Sequence, residues 1–351
     1  MGFKKGVVYF HIGTEKTGTT SLQECFFLNK EILLEKYRIF YPSTPGEKNH
    51  TDLPLYAYEE KLGDLPLRKG IQSEDEIKAF KKKFEADFLR EIRPYVETGY
   101  NILLSSEHLS SRGGRTVEPK QHLVNLFIQQ GMKVKVIIYL RPQEEFLLST
   151  YSTRIKSGGT DEFNPLAYKK NRYDYLGILD NWAKVVGEES INVGIFQKTR
   201  LKHSLYHDFF SRLGISIKED LKIPEKQQNK SLGIAQLEFL KAFNAMVPEY
   251  KDGKRNPLRG NVIEDLELLS EDASFMLSPE LVKEIRTYFK KPNSVILKKY
   301  LHKEKALFDY RNMKPSNNSN QSLTQADIFS HLWIQQQKRI NNNNKRSDSI
   351  D

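Results

Sequence analysis

The chain has 351 residues, with 55 basic against 45 acidic side chains, a net charge of +10 and 38% apolar residues. That length holds one large domain or two ordinary ones and is enough to bury a core, while no run approaches the ~18 uncharged apolar residues of a membrane span. Cys25 is the only cysteine, which excludes an intrachain disulfide and a cysteine-built metal cage.

The basic balance suits an anionic ligand, polymer or surface. No RNP, zinc-finger or helix-turn-helix pattern marks a nucleic-acid reader, so no nucleic-acid partner is expected. The apolar part of MGFKKGVVYFHIG is too short and too β-branched for a signal peptide, and no small-residue cleavage site follows. No transmembrane segment is expected, and the missing disulfides and missing membrane anchor suggest a cytoplasmic location. Nothing in the sequence fixes an oligomeric state.

In chain order, Val7–Ile12 (VVYFHI) reads as a buried strand. A Gly/Thr-rich turn follows, then SLQECFFLNKEILLEKY with apolar residues at helical spacing. Residues 41–72 are rich in Pro, Gly and Asn and predict an excursion with little regular structure. Residues 74–98 predict an amphipathic helix with Ile77, Phe80, Phe84, Phe88 and Ile92 on one stripe. NILLSS (101–106) reads as a strand, 119–130 as a helix and VKVIIYL (134–140) as a strand. Pro142 opens the next helix, because its missing N–H costs nothing in a first turn. A helix at 175–187, a strand at 191–196 and a helix at 203–213 follow.

Strands thus alternate with helices, and the strands are near-continuous apolar runs, as parallel strands covered on both faces should be. The predicted fold class is α/β: a P-loop-like three-layer fold with a central, mainly parallel sheet flanked by helices and a helical C-terminal part. The expected organisation is one domain over 1–311, in which 41–100 is the excursion and its helix and 230–311 is helical, chiefly 232–246 and 278–301. From 312 to 351 the chain is polar and of low complexity. It is expected to lack fixed structure, apart from a short helix at Ala326–Lys338 with Phe329, Leu332 and Trp333 as a sticky face. There is no internal repeat.

Ligands of a parallel α/β sheet bind beyond the carboxyl ends of its strands. Here three strands end in HIGTEKTGTTS, SSEHLS and LRPQEEFLLSTYS, all rich in groups that bind anions or move protons. Gly13 to Ser21 runs from strand into helix, so successive N–H groups and the helix N-terminus can cradle a phosphate. Lys16 adds a full charge, and Thr17, Thr19, Thr20 and Ser21 add hydroxyl donors. A Walker A loop requires G-x-x-x-x-G-K-[ST], and no Gly-Lys-Ser/Thr triplet occurs here. A turn that only capped a helix would not need this much hydroxyl and lysine together.

The run HIGTEKTGTTSLQ resembles the 5′-phosphosulfate-binding loop of sulfotransferases that use 3′-phosphoadenosine-5′-phosphosulfate (PAPS), with its K-[ST]-G-[ST]-[ST] core. That family also carries a 3′-phosphate motif, an arginine ending a later strand and a serine eight residues on. This chain has Arg141 after VKVIIYL and Ser149 eight residues later. An arginine fork matches a phosphate bidentately. The resemblance spans roughly 5–240 and is specific at 11–23, 134–152 and, more loosely, 229–232. There N-x-S-L resembles the bacterial members, in which such a segment lies near the cofactor, and makes Lys230 a candidate nucleotide contact beside plain N-capping by Asn229 or Ser231.

The resemblance implies a glycan-modifying bacterial sulfotransferase with PAPS as co-substrate and 3′-phosphoadenosine 5′-phosphate (PAP) as product. In this picture the loop amides and residues 17–21 hold the 5′-phosphate, with Gly18 among them. Lys16 stabilises the leaving phosphate, and Arg141 and Ser149 hold the 3′-phosphate. A base must take the acceptor proton. In glycan-modifying branches it often lies in the excursion after the first helix, which favours His50; Glu107 follows, then His108. No metal enters this scheme. The acceptor implied is a hydroxyl, less readily an amine, of a saccharide or glycolipid. Tyr151, Ser152, Arg154 and Lys156 flank the second motif, and Tyr173, Asp174 and Tyr175 are candidates to line an acceptor cleft. A P-loop-type nucleotide kinase or NTPase, or an inactive nucleotide-binding scaffold, are the alternatives.

Overall fold

The computed structural model describes residues 5–58, 61, 64–112, 116–217, 221–224, 232–251, 254–269, 276–302, 304–311 and 324–347. The first element is strand β1 (Val7–His11), followed by helices α1 (Thr19–Leu28) and α2 (Lys30–Glu35) and the two-residue strand β2 (Ile39–Phe40). Next come α3 (Asp52–Tyr58), α4 (Asp64–Arg68), α5 (Glu74–Glu97), β3 (Asn101–Ser105), α6 (His108–Ser111) and α7 (Glu118–Ile128). Strand β4 (Lys133–Leu140), α8 (Gln143–Lys156), α9 (Tyr175–Val186), β5 (Ile191–Ile195) and α10 (Leu205–Arg212) complete the alternating part. Then come α11 (Ile234–Met246), the ribbon β6 (Tyr250–Lys251) and β7 (Lys254–Arg255), α12 (Val262–Leu268), α13 (Pro279–Tyr300) and α14 (Gln325–Ser347).

Contacts divide the chain into two compact units. The first comprises Met1–Pro142, Lys169–Lys226 and Thr287–Arg311; the second comprises Gln143–Tyr168, Gln227–Arg286 and Asn312–Asp351.

In the first unit five parallel strands pair in the order β2-β3-β1-β4-β5. Successive strand residues point to opposite faces, and β1 shows what each face meets. Phe10 meets Phe127 of α7 edge-on, with ring centroids 5.6 Å apart, and lies 6.0 Å from Trp182 of α9. His11 meets Phe26 of α1 and Phe209 of α10 on the other side. Two helical layers therefore enclose the sheet, and the fold is the expected P-loop-like three-layer α/β arrangement. A buried cluster ties α10 to the sheet: Tyr139 donates to Asp208 at 2.6 Å, and Arg212 donates to the same carboxylate at 2.7 Å.

Three local departures from expectation have physical causes. The helix expected to run unbroken from Ser21 divides at Asn29, whose buried amide donates to the carbonyls of Cys25 and Lys222, both at 2.7 Å. Its Oδ1 also accepts the Lys222 N–H at 2.7 Å. Tertiary bonding thus interrupts the helical run. The excursion at 41–72 is more regular than its composition suggests, because α3 and α4 carry Pro54 and Pro66 in their first turns, where a missing N–H costs nothing. The ribbon β6–β7 stands in a stretch that read as helical.

The second unit packs α8, α11, α12 and α14 around Ile155, Leu237, Leu240, Val262, Leu266 and Ile328. Asn244 donates to the carbonyls of Ile155 and Gly159, both at 2.8 Å, and so joins α11 to the end of α8. Helix α14 is longer than the sequence reading. Thr324 and Asp327 bond each other's backbone N–H at its start, Leu332 packs on the core, and Phe329 and Trp333 stay exposed. No helix among the described residues is long and apolar enough to cross a membrane.

Candidate functional site

The loop after β1 stays on the β4 ladder for two further residues. Ile12 N donates to Ile137 O and Thr14 N to Tyr139 O, both at 3.0 Å, while Tyr139 N returns to Gly13 O at 2.6 Å. The chain then turns sharply, with left-handed φ values at Gly13 (84°), Lys16 (63°) and Gly18 (78°). Two of these positions need glycine for space as well. A Cβ on Gly13 would lie 2.9 Å from Glu107 Cβ, and one on Gly18 would run into Leu205 Cδ2. Lys16 holds the same backbone region with a side chain, at a cost of about 1–2 kcal/mol.

The loop braces itself from within. Thr14 Oγ1 donates to Tyr139 O at 3.1 Å and Thr17 Oγ1 to Thr14 O at 2.6 Å. The Thr17 hydroxyl is thus engaged in shaping the loop. Thr19 is buried, whereas Thr20 and Ser21 are exposed. Gly18 is the N-cap of α1, no side chain caps the first turn, and no acidic residue stands in it. The leading N–H groups of a ten-residue helix are therefore open to an anion.

Arg141, one residue past β4, reaches this loop. Its Nη1 donates to Lys16 O at 3.0 Å, and its guanidinium stands over the Phe196 ring at 5.8 Å. Tyr175 fixes the Arg141 backbone by donating to its carbonyl at 2.9 Å. Lys16 and Arg141, 125 residues apart in sequence, thus meet. Ser149 lies on α8 in the second unit, where its carbonyl accepts from Thr153 at 2.9 Å. Lys230, with Asn229 and Ser231, lies outside the described residues.

Glu107 stands at the start of α6, against the Gly13 turn. Gln23 of α1 donates to its Oε2 at 3.0 Å, and Asn49 donates to both of its oxygens at 3.3 and 3.4 Å. The carboxylate is therefore held in one orientation at the mouth of the loop. His108 follows it, half-buried, its pKa lowered by burial against the opposing charges of Glu107 and Glu15. Glu15 in turn pairs with Arg172 at 3.4 Å. Neither Gln23 nor Asn49 was singled out from the sequence. The one available signal was a polar side chain, Gln23, at a position buried with Leu22, Cys25 and Phe26 in α1.

His50 has a different environment. It is fully buried, its N–H donates to Ser105 O at 3.0 Å, and its Nδ1 accepts the Ser105 N–H at 3.1 Å. Its ring lies 4.4 Å from that of Tyr41. With Nδ1 accepting, the neutral ring carries its hydrogen on Nε2 and has no lone pair left for a proton. Burial lowers its pKa to about 3, opposed by the Pro42 backbone, and burial lowers that of His11 likewise to about 3.

Both rings fold neutral, whereas in the unfolded chain they take up a proton below about 6.5. Their stabilisation is whole above that pH and drains away as the pH falls toward about 3. Between pH ~6.5 and ~5 the two together should remove about 3 kcal/mol of stability. Urea unfolding across that range checks this. His50→Asn keeps an acceptor for Ser105 and should remove about half of the slope; an unchanged slope would show that His50 does not hold the depressed pKa.

No protein-family model and no curated protein matches the chain. Among solved structures it is similar to a sulfotransferase from Alicyclobacillus acidocaldarius, at 15% identity over 83% of this chain and 94% of that one, with a TM-score of 0.39. It is also similar to a structure of the PezAT chromosomal toxin–antitoxin system of Streptococcus pneumoniae, at 13% identity over 85% of this chain and 90% of that one, with a TM-score of 0.30. Likeness at this level assigns no activity, so any assignment rests on the residues of the site itself.

Proposed function

We propose that the protein is a PAPS-dependent sulfotransferase. The observation that carries this reading is the bond from Arg141 Nη1 to Lys16 O, because it brings a second phosphate-binding cation to the loop that suits the first phosphate. The loop amides and the uncapped start of α1 bind the 5′-phosphate, and Lys16 neutralises charge building on the bridging oxygen as it leaves. Arg141 binds the 3′-phosphate. The acceptor is a hydroxyl of a saccharide or glycolipid, and the setting is cytoplasmic, in keeping with a single cysteine that is free.

In the reaction the acceptor oxygen forms a bond to sulfur while the bond from sulfur to the 5′-phosphate oxygen breaks in line. The acceptor proton passes to a carboxylate, and PAP departs. Glu107 suits the role of base better than His50, since its carboxylate keeps lone pairs beyond those that Gln23 and Asn49 engage while the single acceptor lone pair of His50, on Nδ1, is occupied. Positioning and electrostatics supply the catalysis. The same loop and strand order would serve a nucleotide kinase, although the chain lacks the Gly-Lys-Ser/Thr triplet of such enzymes.

Incubation with sulfur-labelled PAPS and a panel of glycan and glycolipid acceptors tests the reading, with ATP–Mg²⁺ as the competing donor. Label should pass from PAPS, and no phosphoryl group from ATP. Glu107→Gln should slow transfer about 10²- to 10⁴-fold, the range of a general base, while His50→Asn should leave it within a fewfold. The reverse ranking would return the base to His50.

A further inference from the structure

Helix α9 and its N-cap carry one stripe that the core does not use. Asp174, Gly177, Ile178 and Asn181 stand at i, i+3, i+4 and i+7, a single helical face. All four line a cleft of about 280 Å³ within the first unit. Its other walls come from the end of α6 and the short turn before α9. Tyr173 and Tyr175, also candidates to line an acceptor cleft, are buried in the core, so of that trio Asp174 alone lines this one.

Asn181 points to a ligand. It is 6% exposed, yet its side-chain amide bonds no described residue. Leaving a buried amide without a protein partner is costly, and this one stands on the face that opens to the cleft. Gly177 keeps that face clear. Glycine is a poor helix former, but a Cβ here would lie 2.5 Å from Asp174 Oδ2. The cleft also adjoins the groups assigned to the reaction. Ser110, in its wall, donates to Glu107 O at 2.9 Å. Arg172, in another wall, pairs through Nη1 with Glu15, the residue before Lys16, at 3.4 Å.

We propose that this cleft seats one uncharged sugar ring of the acceptor and holds its non-reacting hydroxyls through Asn181, Asp174 and Arg172. A free anion would meet Asp174 and Glu15, and a free cation would meet Arg172. An apolar group would leave the Asn181 amide unpaired. Hydroxyls donate and accept alike, and neighbouring ones match planar amide, carboxylate and guanidinium groups two at a time. The volume lies just below the roughly 300–1,000 Å³ of small-molecule sites, which suits one ring rather than a chain. The inference rests on the sulfotransferase reading for what happens to the ring, but not for its binding.

Isothermal titration of the full chain with methyl glycosides of neutral hexoses and N-acetylhexosamines tests it, first without any nucleotide. At least one glycoside should bind. Asn181→Leu, similar in size but unable to pair with a hydroxyl, should weaken that binding about 10- to 100-fold. The variant should melt no lower than the wild type, because its amide spends no bond on the fold, and should keep wild-type affinity for PAP. With PAPS and an oligosaccharide that contains the bound sugar, the acceptor KM should rise by the same factor while kcat moves much less. If Asn181→Leu unfolds, Ser111→Val takes its place with the same expectation. Binding of no glycoside by the wild-type chain overturns the proposal, as does unchanged glycoside affinity in the variant or an equal fall in PAP affinity. Glycoside binding that depends on Asn181 without sulfuryl transfer from PAPS would instead overturn the reaction and leave the cleft as a sugar site.

Discussion

Replacing Lys16 with alanine is expected to lower the rate of sulfuryl transfer about 10³-fold, the upper range for removing one preorganised donor at developing charge. The effect should fall on kcat. As the bond from sulfur to oxygen breaks, negative charge grows on the 5′-phosphate, and Lys16 is the cation that the Gly13–Gly18 turn supplies to meet it. Backbone strain does not confound the comparison. Lys16 sits at φ 63°, and alanine carries the same Cβ into that region as lysine does. The loop's internal bonds, from Thr14 and Thr17, also involve no atom of the Lys16 side chain. PAP affinity should therefore fall only severalfold, since the amides and the helix start remain. Single-turnover measurements separate the two quantities. Unchanged turnover would remove Lys16 from the reaction, and an equal loss in PAP affinity would make it a binding residue.

The same loop shows what a sequence discloses and what it withholds. Strand ends were legible because VVYFHI and VKVIIYL are apolar runs that stop abruptly at polar residues, and a parallel sheet aligns such ends. Arg141 could be placed near Lys16 on that ground alone, and the 3.0 Å bond bears out their proximity. The role of Thr17 was not legible. Its hydroxyl read as a ligand donor, but it turns inward to Thr14 O, a choice set by the left-handed turn at Lys16. His50 read as a candidate base in the irregular excursion, in KNH. Its burial depends on Ser105 and Tyr41, and only the Tyr41 contact is local.

Gln23 and Asn49 were hidden for the same reason. Each reaches Glu107 across a large gap in sequence, 84 and 58 residues, and no periodicity encodes such a meeting. The prolines of the excursion misled in a simpler way. Pro54 and Pro66 are loop signals by composition, but in a first turn they start helices.

Arg141 carries the second large effect. Truncating one member of a hydrogen-bonded charge pair costs about 2–5 kcal/mol, so Arg141→Ala should weaken PAP binding by about 100-fold or more. Part of that loss comes from the loop, because Nη1 also braces Lys16 O. The loop contribution is common to any adenosine 5′-phosphate, whereas the 3′-phosphate contribution belongs to PAP alone. Comparing the two nucleotides therefore isolates the contact with the second phosphate. By isothermal titration the wild-type chain should prefer PAP over adenosine 5′-phosphate by roughly 100-fold, and Arg141→Ala should reduce that preference to a fewfold. Equal affinity of the wild-type chain for both nucleotides, or a preference that survives Arg141→Ala, would contradict the claim that loop and arginine grip one doubly phosphorylated adenosine.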